Sequence, residues 1–483
     1  MLNTIIMVKD IIRKRRATRG VKLKSMASAI VAGFGFVGAS LLPAQAQDIA
    51  FPGAIGFGAK AVGWKGGDVV AVTTLADSGP GSLRACVKNR EQPRVCIFRV
   101  SGTIMLDSPI FVGSNLYIAG QTAPGKGIQL RNRNSIQTPL ILKNSRQVVM
   151  RFLKVRPGPS ITPSANVDAV TLEDTKNIYL GNLSMNFATD ETFNIHVSGG
   201  KVVNITLADS ILALSLDRST HPKGKHSKGA LICSHEQKNN SCGRITLARN
   251  LFAHHRDRMP DIKGTNLGPI EVLNNVFYNP ISQFGEFYDL LGNVKIIYGR
   301  NIALSGPSTL SKTPAAVQVF EWKRKRRVSL MAFGNKTGAA TGCNSRKFAV
   351  LNSTAKARRI PTTSGPFSAP LYKTNRTLHN VLTQVGDRMP GDAHLDRLDK
   401  RVINDALKCR GKVINSVEEV GGWPEIQSAP APADRDSDGL PDYYEAATAG
   451  LSPTQPNNPW KRPRGSDYSH LEIWLATLAG DLE

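Results

Sequence analysis

The chain is predicted to fold as an all-β solenoid of the parallel β-helix type, and three observations predict it. From Asn115 to about Leu304 one theme recurs: a hydrophobic strand, a polar residue that is usually Asn or Asp, and a second strand start. Copies include Ile178-Tyr-Leu-Gly-Asn182-Leu-Ser-Met185, Ile205-Thr-Leu-Ala-Asp209-Ser-Ile-Leu212, Ile245-Thr-Leu-Ala-Arg-Asn250-Leu-Phe252, Val272-Leu-Asn-Asn275-Val-Phe-Tyr278 and Ile296-Ile-Tyr-Gly-Arg-Asn301-Ile-Ala-Leu304, with polar-to-polar intervals of 27, 41, 25 and 26. A period of roughly 20–50 residues marks units that cannot bury an apolar face alone and must stack on their neighbours. The strands are short, divided by polar turns and free of long helical patterns between them. Hairpin dipeptides such as Asn-Gly are missing between them, which argues against a sandwich or a propeller. Inward side chains should stack into one core, with the recurrent Asn forming a ladder along one corner.

The first 46 residues stand apart from this fold. A basic stretch, 9–24, precedes the apolar run 26–42 and Ala44-Gln45-Ala46, which reads as a secretory signal cleaved after Ala46. Its apolar run is short for a membrane span. Arg15-Arg16 is followed by Ala-Thr-Arg-Gly, which does not complete a twin-arginine signal, so ordinary export to the periplasm or beyond is expected. Six cysteines suit such a compartment. Cys86 with Cys96 and Cys233 with Cys242 are close in sequence, leaving Cys343 with Cys409. No cysteine spacing resembles a zinc site.

The formal charge is +25, and the leader carries eight Lys/Arg against one Asp, so the mature chain keeps +18. Outside the cytoplasm the abundant polyanions are acidic polysaccharides, which makes uronate polymers the first substrate class to consider. Aromatics are only 6% of the chain and no nucleic-acid motif accompanies the charge, so no nucleic-acid partner is expected. No membrane partner is expected either, and a monomer is. The run Lys323-Arg-Lys-Arg-Arg327 reads as a solvated loop or a weak polyanion contact. The solenoid is expected over 47–427, a Pro/Ala linker over 428–433 and a small tail over 434–483.

Three constellations carry chemistry. Asp168, Asp190, Glu191 and Asn194 lie about one coil apart, so stacking would place them on one face, where hard oxygen ligands suit Ca²⁺. Ser219-Thr-His221-Pro-Lys-Gly-Lys225-His226-Ser-Lys228 fills the long 41-residue interval, and long insertions in solenoids gather on the binding face. His254-His255-Arg256-Asp257-Arg258-Met259-Pro260-Asp261-Ile262-Lys263 follows the Asn250 strand, offering cations for uronate carboxylates. Adjacent histidines point apart in extended chain, which disfavours His254 and His255 as joint metal ligands.

These stretches resemble the pectate lyases of polysaccharide lyase family 1, particularly their secreted bacterial branch. Further matching stretches are Phe51-Pro-Gly-Ala-Ile-Gly-Phe-Gly58, Asp77-Ser-Gly-Pro-Gly-Ser-Leu-Arg84, Val100-Ser-Gly-Thr-Ile104, Ile118-Ala-Gly-Gln-Thr-Ala-Pro-Gly125 and Ile414-Asn-Ser-Val-Glu-Glu-Val-Gly-Gly-Trp-Pro424. The similarity covers most of 51–424, with little contributed by 305–380. It implies a right-handed, single-stranded parallel β-helix. It also implies Ca²⁺ at Asp168 and Asp190, with Asn194 where a further acidic ligand is expected and Glu191 placed to compensate. Arg258 opens the Arg-x-Pro-x-x-Arg motif, whose first Arg is the family's proposed base, and Lys228 matches a substrate-binding lysine. Lys263 replaces the motif's second Arg, and with His226 it completes the expected substrate-binding set. Leu180-Gly-Asn182 stands where many relatives carry Ile-Asp-His, a departure read as structural. The implied reaction is β-elimination on pectate, giving 4,5-unsaturated products. A glycoside hydrolase and a non-catalytic glycan-binding adhesin are the competing readings.

The tail adds a second calcium motif. Asp434, Asp436, Asp438, Asp442 and Glu445 occupy positions 1, 3, 5, 9 and 12 of an EF-hand-type loop, with Gly439 at 6 and the Leu440 carbonyl at 7. It resembles the calcium repeats that end many exported bacterial polysaccharide enzymes. A companion loop near 465–472 lacks most of its acids.

Overall fold

The computed structural model describes residues 49–482, apart from 89–91, 236–240, 314, 324, 339–347 and 364. The expected leader and Cys343 therefore lie outside the described residues. The chain forms two compact units, one comprising 49–431 with the last residues from Leu475 on, the other 432–474.

The larger unit winds as a right-handed parallel β-helix. One coil runs through Lys176–Gly181, Ser184–Asn186 and Glu191–Val197, and the next through Lys201–Ala208, Ile211–Ala213 and Lys228–His235. Corresponding strands pair in parallel, giving a first sheet of ten strands and second and third sheets of nine among the described residues. Side chains alternate across each strand, so one inward position repeats from coil to coil. Ile178, Ile205, Ile245, Ile270, Ile296 and Leu330 are in register and fully buried. Each such side chain contributes about 1.5–3 kcal/mol of hydrophobic stabilisation, and truncating one would open a cavity between two coils.

The corner ladder exists, one residue out of the expected register at its start. Asn301, Asn275 and Asn250 each present Oδ1 to the backbone N–H of the preceding rung, Asn275, Asn250 and Ser210, at 2.8–3.0 Å. Asn335 caps the ladder at Asn301, and Ser210 Oγ accepts from Leu183 N. Asn182 and Asp209 are not rungs. Ala208 pairs with Ala248, so Asp209 aligns with Arg249. Asn182, Asp209, Arg249, Asn274 and Arg300 share a left-handed backbone with φ of 52–59° that turns the chain between the first and second sheets. Asn182 accepts from Arg151, in keeping with a structural role for the Leu180-Gly-Asn182 departure.

Two amphipathic helices outside the expected solenoid repeat, Thr374–Gln384 and Arg397–Lys408, cover the second sheet. Val381, Leu382, Leu398, Val402 and Ala406 pack on Ile211, Leu251, Val276 and Leu304. Asp396 caps the second helix by accepting from the N–H groups of Leu398 and Asp399. Cys86–Cys96 and Cys233–Cys242 are disulfide-bonded. The expected linker does not begin free of the solenoid: Ala429 N donates to Ser101 Oγ at 3.2 Å, and 428–431 belong to the larger unit. The end of the chain is also held there, by a bidentate Arg151–Asp481 pair at 2.6 and 2.9 Å.

Candidate functional site

The third sheet gathers the sequence-predicted residues onto its outer face. Asp168 lies two residues before the strand Val170–Glu173, Asp190 immediately precedes the next strand and Glu191 opens it. Lys228 begins the strand after that, in register with Glu191. Arg258 precedes the short strand Asp261–Ile262, and Lys263 follows it. Residues spaced by whole coils thus become neighbours.

Carboxylate oxygens of Asp168, Asp190 and Glu191 all lie within 4.8 Å of one another. Asp168 accepts from Thr171 Oγ1 at 2.5 Å, Glu191 N at 3.0 Å and Asn194 Nδ2 at 3.1 Å. Burial and the charges of Glu191 and Asp190 still push its carboxyl well above the usual range. Asp190 is pushed up to about 9 by burial and by Glu191. Burial opposes the charge on Glu191 too, but Arg258 outweighs it and holds that carboxyl below its ordinary value. Asn194 turns its amide nitrogen to Asp168 and its oxygen to Ser234 Oγ. In that orientation it serves the cluster as a donor and offers no oxygen to it.

Arg258 is the cation at the centre. It pairs with Glu191 through Nη1, lies 3.7 Å from Asp261 through Nε, and its backbone N–H donates to Glu286 Oε1 at 3.1 Å. Its φ of 57° is unusual for a residue with a long side chain and is held by the turn around it. Burial disfavours the guanidinium charge, yet Glu191 and Asp261 more than offset that, so its pKa lies above the ordinary value. Lys263 Nζ sits 3.1 Å from Asp261, and Lys228 Nζ 2.6 Å from Asp257.

The histidines divide by role. His226 Nε2 lies 2.7 Å from Asp190 Oδ1, and its ring stacks on His221 at 3.7 Å. Only 7% of His226 is exposed, and its ring nitrogen is engaged by Asp190. Both rings are pushed down to about 4, His226 by burial and Lys228, His221 by burial and His226. His254 and His255 are fully buried on Asn279 and on Ser215 with the Leu212 carbonyl.

In the smaller unit, carboxylate oxygens of Asp434, Asp436 and Asp438 come within 4.8 Å of one another. Both oxygens of Asp436 and Oε2 of Glu445 are buried without a hydrogen-bond donor. Burial, with the charges of Asp438 and Asp436, pushes Glu445 up to about 7. The helix Asp442–Ala446 carries Glu445 back to the loop. Asp442 accepts from Arg435 N and Nε at 3.0 and 2.7 Å, and Leu440 is fully buried.

No protein-family model matches the chain. It is 30% identical over 436 residues to the probable pectate lyase C of Emericella nidulans, spanning 89% of this chain and 93% of that protein. It is 30% identical over 448 residues to the protein of the same name from Aspergillus flavus, spanning 91% and 96%. The chain belongs to the pectate lyase family. It is a polysaccharide lyase. Among solved structures, the thermostable pectate lyase PL 47 superposes with a TM-score of 0.50 at 14% identity, covering 71% of this chain and 97% of that one. A Bacillus subtilis pectate lyase mutant gives 0.50 at 14%, covering 75% and 100%. At that identity these two show the shared β-helix.

Two site residues of this pectate lyase family member, Glu286 and Tyr288, belong to none of the sequence motifs. Glu286 pairs in register with Asp261, accepts from Tyr288 Oη at 2.9 Å, and is pushed up to about 7 by burial and by Asp257. The usable signal is the coil interval: counting one coil on from Asp261 lands on the Gly285–Tyr288 strand.

Proposed function

We propose that this member of the family is exported through cleavage after Ala46, acts as a monomer and cleaves polygalacturonate by calcium-dependent β-elimination. The observation that carries the reading is Arg258 paired to Glu191 at the edge of a cluster of three carboxylates, Asp168, Asp190 and Glu191, two of which have no cation paired to them among the described residues. The fit to Ca²⁺ rests on the donors: Asp168, Asp190 and Glu191 supply hard oxygens, and the first two are strongly disfavoured as anions when nothing balances them. Bound there, Ca²⁺ would supply positive charge to a substrate carboxylate and so acidify the neighbouring C–H.

The chain's own residues account for the rest. Arg258 is the proposed base: it accepts the C5 proton, the C–H electron pair becomes the C4–C5 double bond, and the C4–O bond breaks, with the departing oxygen taking a proton from solvent water and Arg258 returning its own to the resulting hydroxide. A guanidinium is a poor base at its ordinary pKa above about 12, and Glu191 and Asp261 hold it protonated here. Neutralising Glu191 removes the larger of those attractions, after which burial and the nearby Lys263 both favour the deprotonated form. Lys228 and Lys263 are placed to take uronate carboxylates, each exchanging an aspartate for the substrate. Lys263 lacks the two-pronged geometry of an arginine, so this subsite orients its carboxylate less tightly. His226, neutral above about pH 4, fixes Asp190.

In the smaller unit, Asp434, Asp436, Asp438, Glu445 and the Leu440 carbonyl are the proposed ligands of a structural Ca²⁺, with Asp442 the outer member held by Arg435. The disulfides Cys86–Cys96 and Cys233–Cys242 suit an oxidising compartment. A hydrolase would need two carboxylates on opposite sides of a bond, roughly 5–9.5 Å apart; here the acids form one cluster around Arg258. Mass spectrometry of the products tests the reading. Fragments that together carry no added water support elimination, whereas fragments that gain one water per cut would assign hydrolysis.

A further inference from the structure

We propose that the bound acidic chain continues from Arg258 and Lys263 along the outer face of the third sheet to Trp322, Lys323, Arg326 and Arg327, which form an auxiliary subsite for uronate carboxylates. The inference rests on the lyase reading for its choice of polymer. Three successive strands carry it: Asp261–Ile262, Gly285–Tyr288 and Ala315–Phe320. Lys263 Nζ lies 5.5 Å from the Tyr288 ring, and Tyr288 stacks on Phe320 at 4.9 Å with an interplanar angle of 16°. An aromatic row therefore leads from the site across two strand spacings, roughly 10 Å. Gln318, in register with Glu286 on this outward row, has a buried Nε2 with no acceptor.

The row ends at a built turn. Fully buried Asp289 accepts from Trp322 N at 2.7 Å and Lys323 N at 3.0 Å, and Asn293 accepts from Arg327 N at 2.9 Å. Arg326 donates to the Leu290 carbonyl. This pinned backbone presents Trp322, 69% exposed, beside exposed Lys323, Lys325, Arg326 and Arg327. The acids nearby are already used: Glu321 is held by both arms of Arg358, and Asp289 by the turn's own amides. What remains is an exposed aromatic face among uncompensated cations, which suits the apolar face and carboxylates of a uronate chain.

The test compares the wild type with W322A and with K323A/K325A, all at exposed positions. Two readouts are used: electrophoretic retardation in gels containing pectate, and kcat/KM on hexa- against trigalacturonate. The hexamer-to-trimer ratio should fall about tenfold in W322A, what one stacking ring and a neighbouring charge pair supply, and pectate retardation should weaken in both variants. Variants matching the wild type in both readouts would overturn the proposal. So would an equal weakening of retardation by dextran sulfate, which would mark a general polyanion patch. The gel reads binding without cleavage, so a wild type retarded by pectate that releases no unsaturated sugar fails the lyase reading and leaves the track standing.

Discussion

Two buried ionic clusters occupy different sheets of the same solenoid, and they are balanced differently. Against the second sheet, fully buried Lys154 and Arg156 face Asp387, Asp396 and Asp399. Nearly every group there has a partner: Arg156 also donates to Asn186 and Gln129, Ser184 donates to Asp399, and His394 holds Asp387 at 2.9 Å. On the third sheet Asp168, Asp190 and Glu191 crowd together, only Glu191 of the three is ion-paired to Arg258, and the other two are pushed far up. The first arrangement is complete as it stands. The second leaves two carboxyls that favour the protonated form, which an added cation would reverse, and that imbalance is what the proposed calcium site rests on.

The sharpest way to break this contrast is Arg258→Lys. If the third-sheet cluster is catalytic, turnover falls about 10²–10⁴-fold, the range for loss of a general base, while retardation by pectate persists; retained turnover would remove Arg258 from the mechanism. The matching change on the second sheet is Arg156→Met, which strands Asp396 and Asp399. Denaturant unfolding should show a loss of about 3–5 kcal/mol, and a loss under about 1 kcal/mol would make that network dispensable.

Acid titration of stability sharpens the same point. Burial raises the Asp387 carboxyl, but Lys154 and His394 more than offset it, and Arg156 does the same for Asp396. Both folded values are depressed, so their stabilisation is present above the unfolded value of about 3.9 and is lost as pH falls below it. Asp399, pushed up to about 7 by burial and Asp396, acts in the opposite direction as pH rises from about 4 to 7. The unfolding midpoint should therefore fall steeply below about pH 4, less so in Asp387→Asn.

Smaller effects are expected at the metal sites. Asp436→Ala should remove one bound calcium per chain by direct calcium analysis. It should also remove the ion's stabilisation, about 2.7 kcal/mol at a hundredfold excess over Kd. His226→Ala, which frees Asp190, should weaken the calcium concentration dependence of turnover about tenfold, typical of losing an outer partner of a metal ligand.

Much of the fold and part of the site are legible in the sequence. Period and strand length foretell the coils because stacking demands repetition, and the clustering of Asp434, Asp436 and Asp438 is readable because the three are local in sequence. The ladder register slips because Arg249-Asn250 and Asn274-Asn275 each place two polar residues at the corner, and only strand pairing tells the left-handed residue from the rung. The helices over the second sheet are hidden within 305–427, where no repeat guides the eye. Glu286 and Tyr288 join the site through pairing across a coil, which no local motif records. The orientation of Asn194 depends on Ser234, a residue in the next strand.

The central claim is tested most directly by following ultraviolet absorbance of the mature protein acting on polygalacturonate with calcium, and then after a chelator is added. The account predicts steady growth of an unsaturated-uronate signal that the chelator stops and fresh calcium restores. Growth that continues unchanged in excess chelator, or reducing ends released with no unsaturated product, would contradict it.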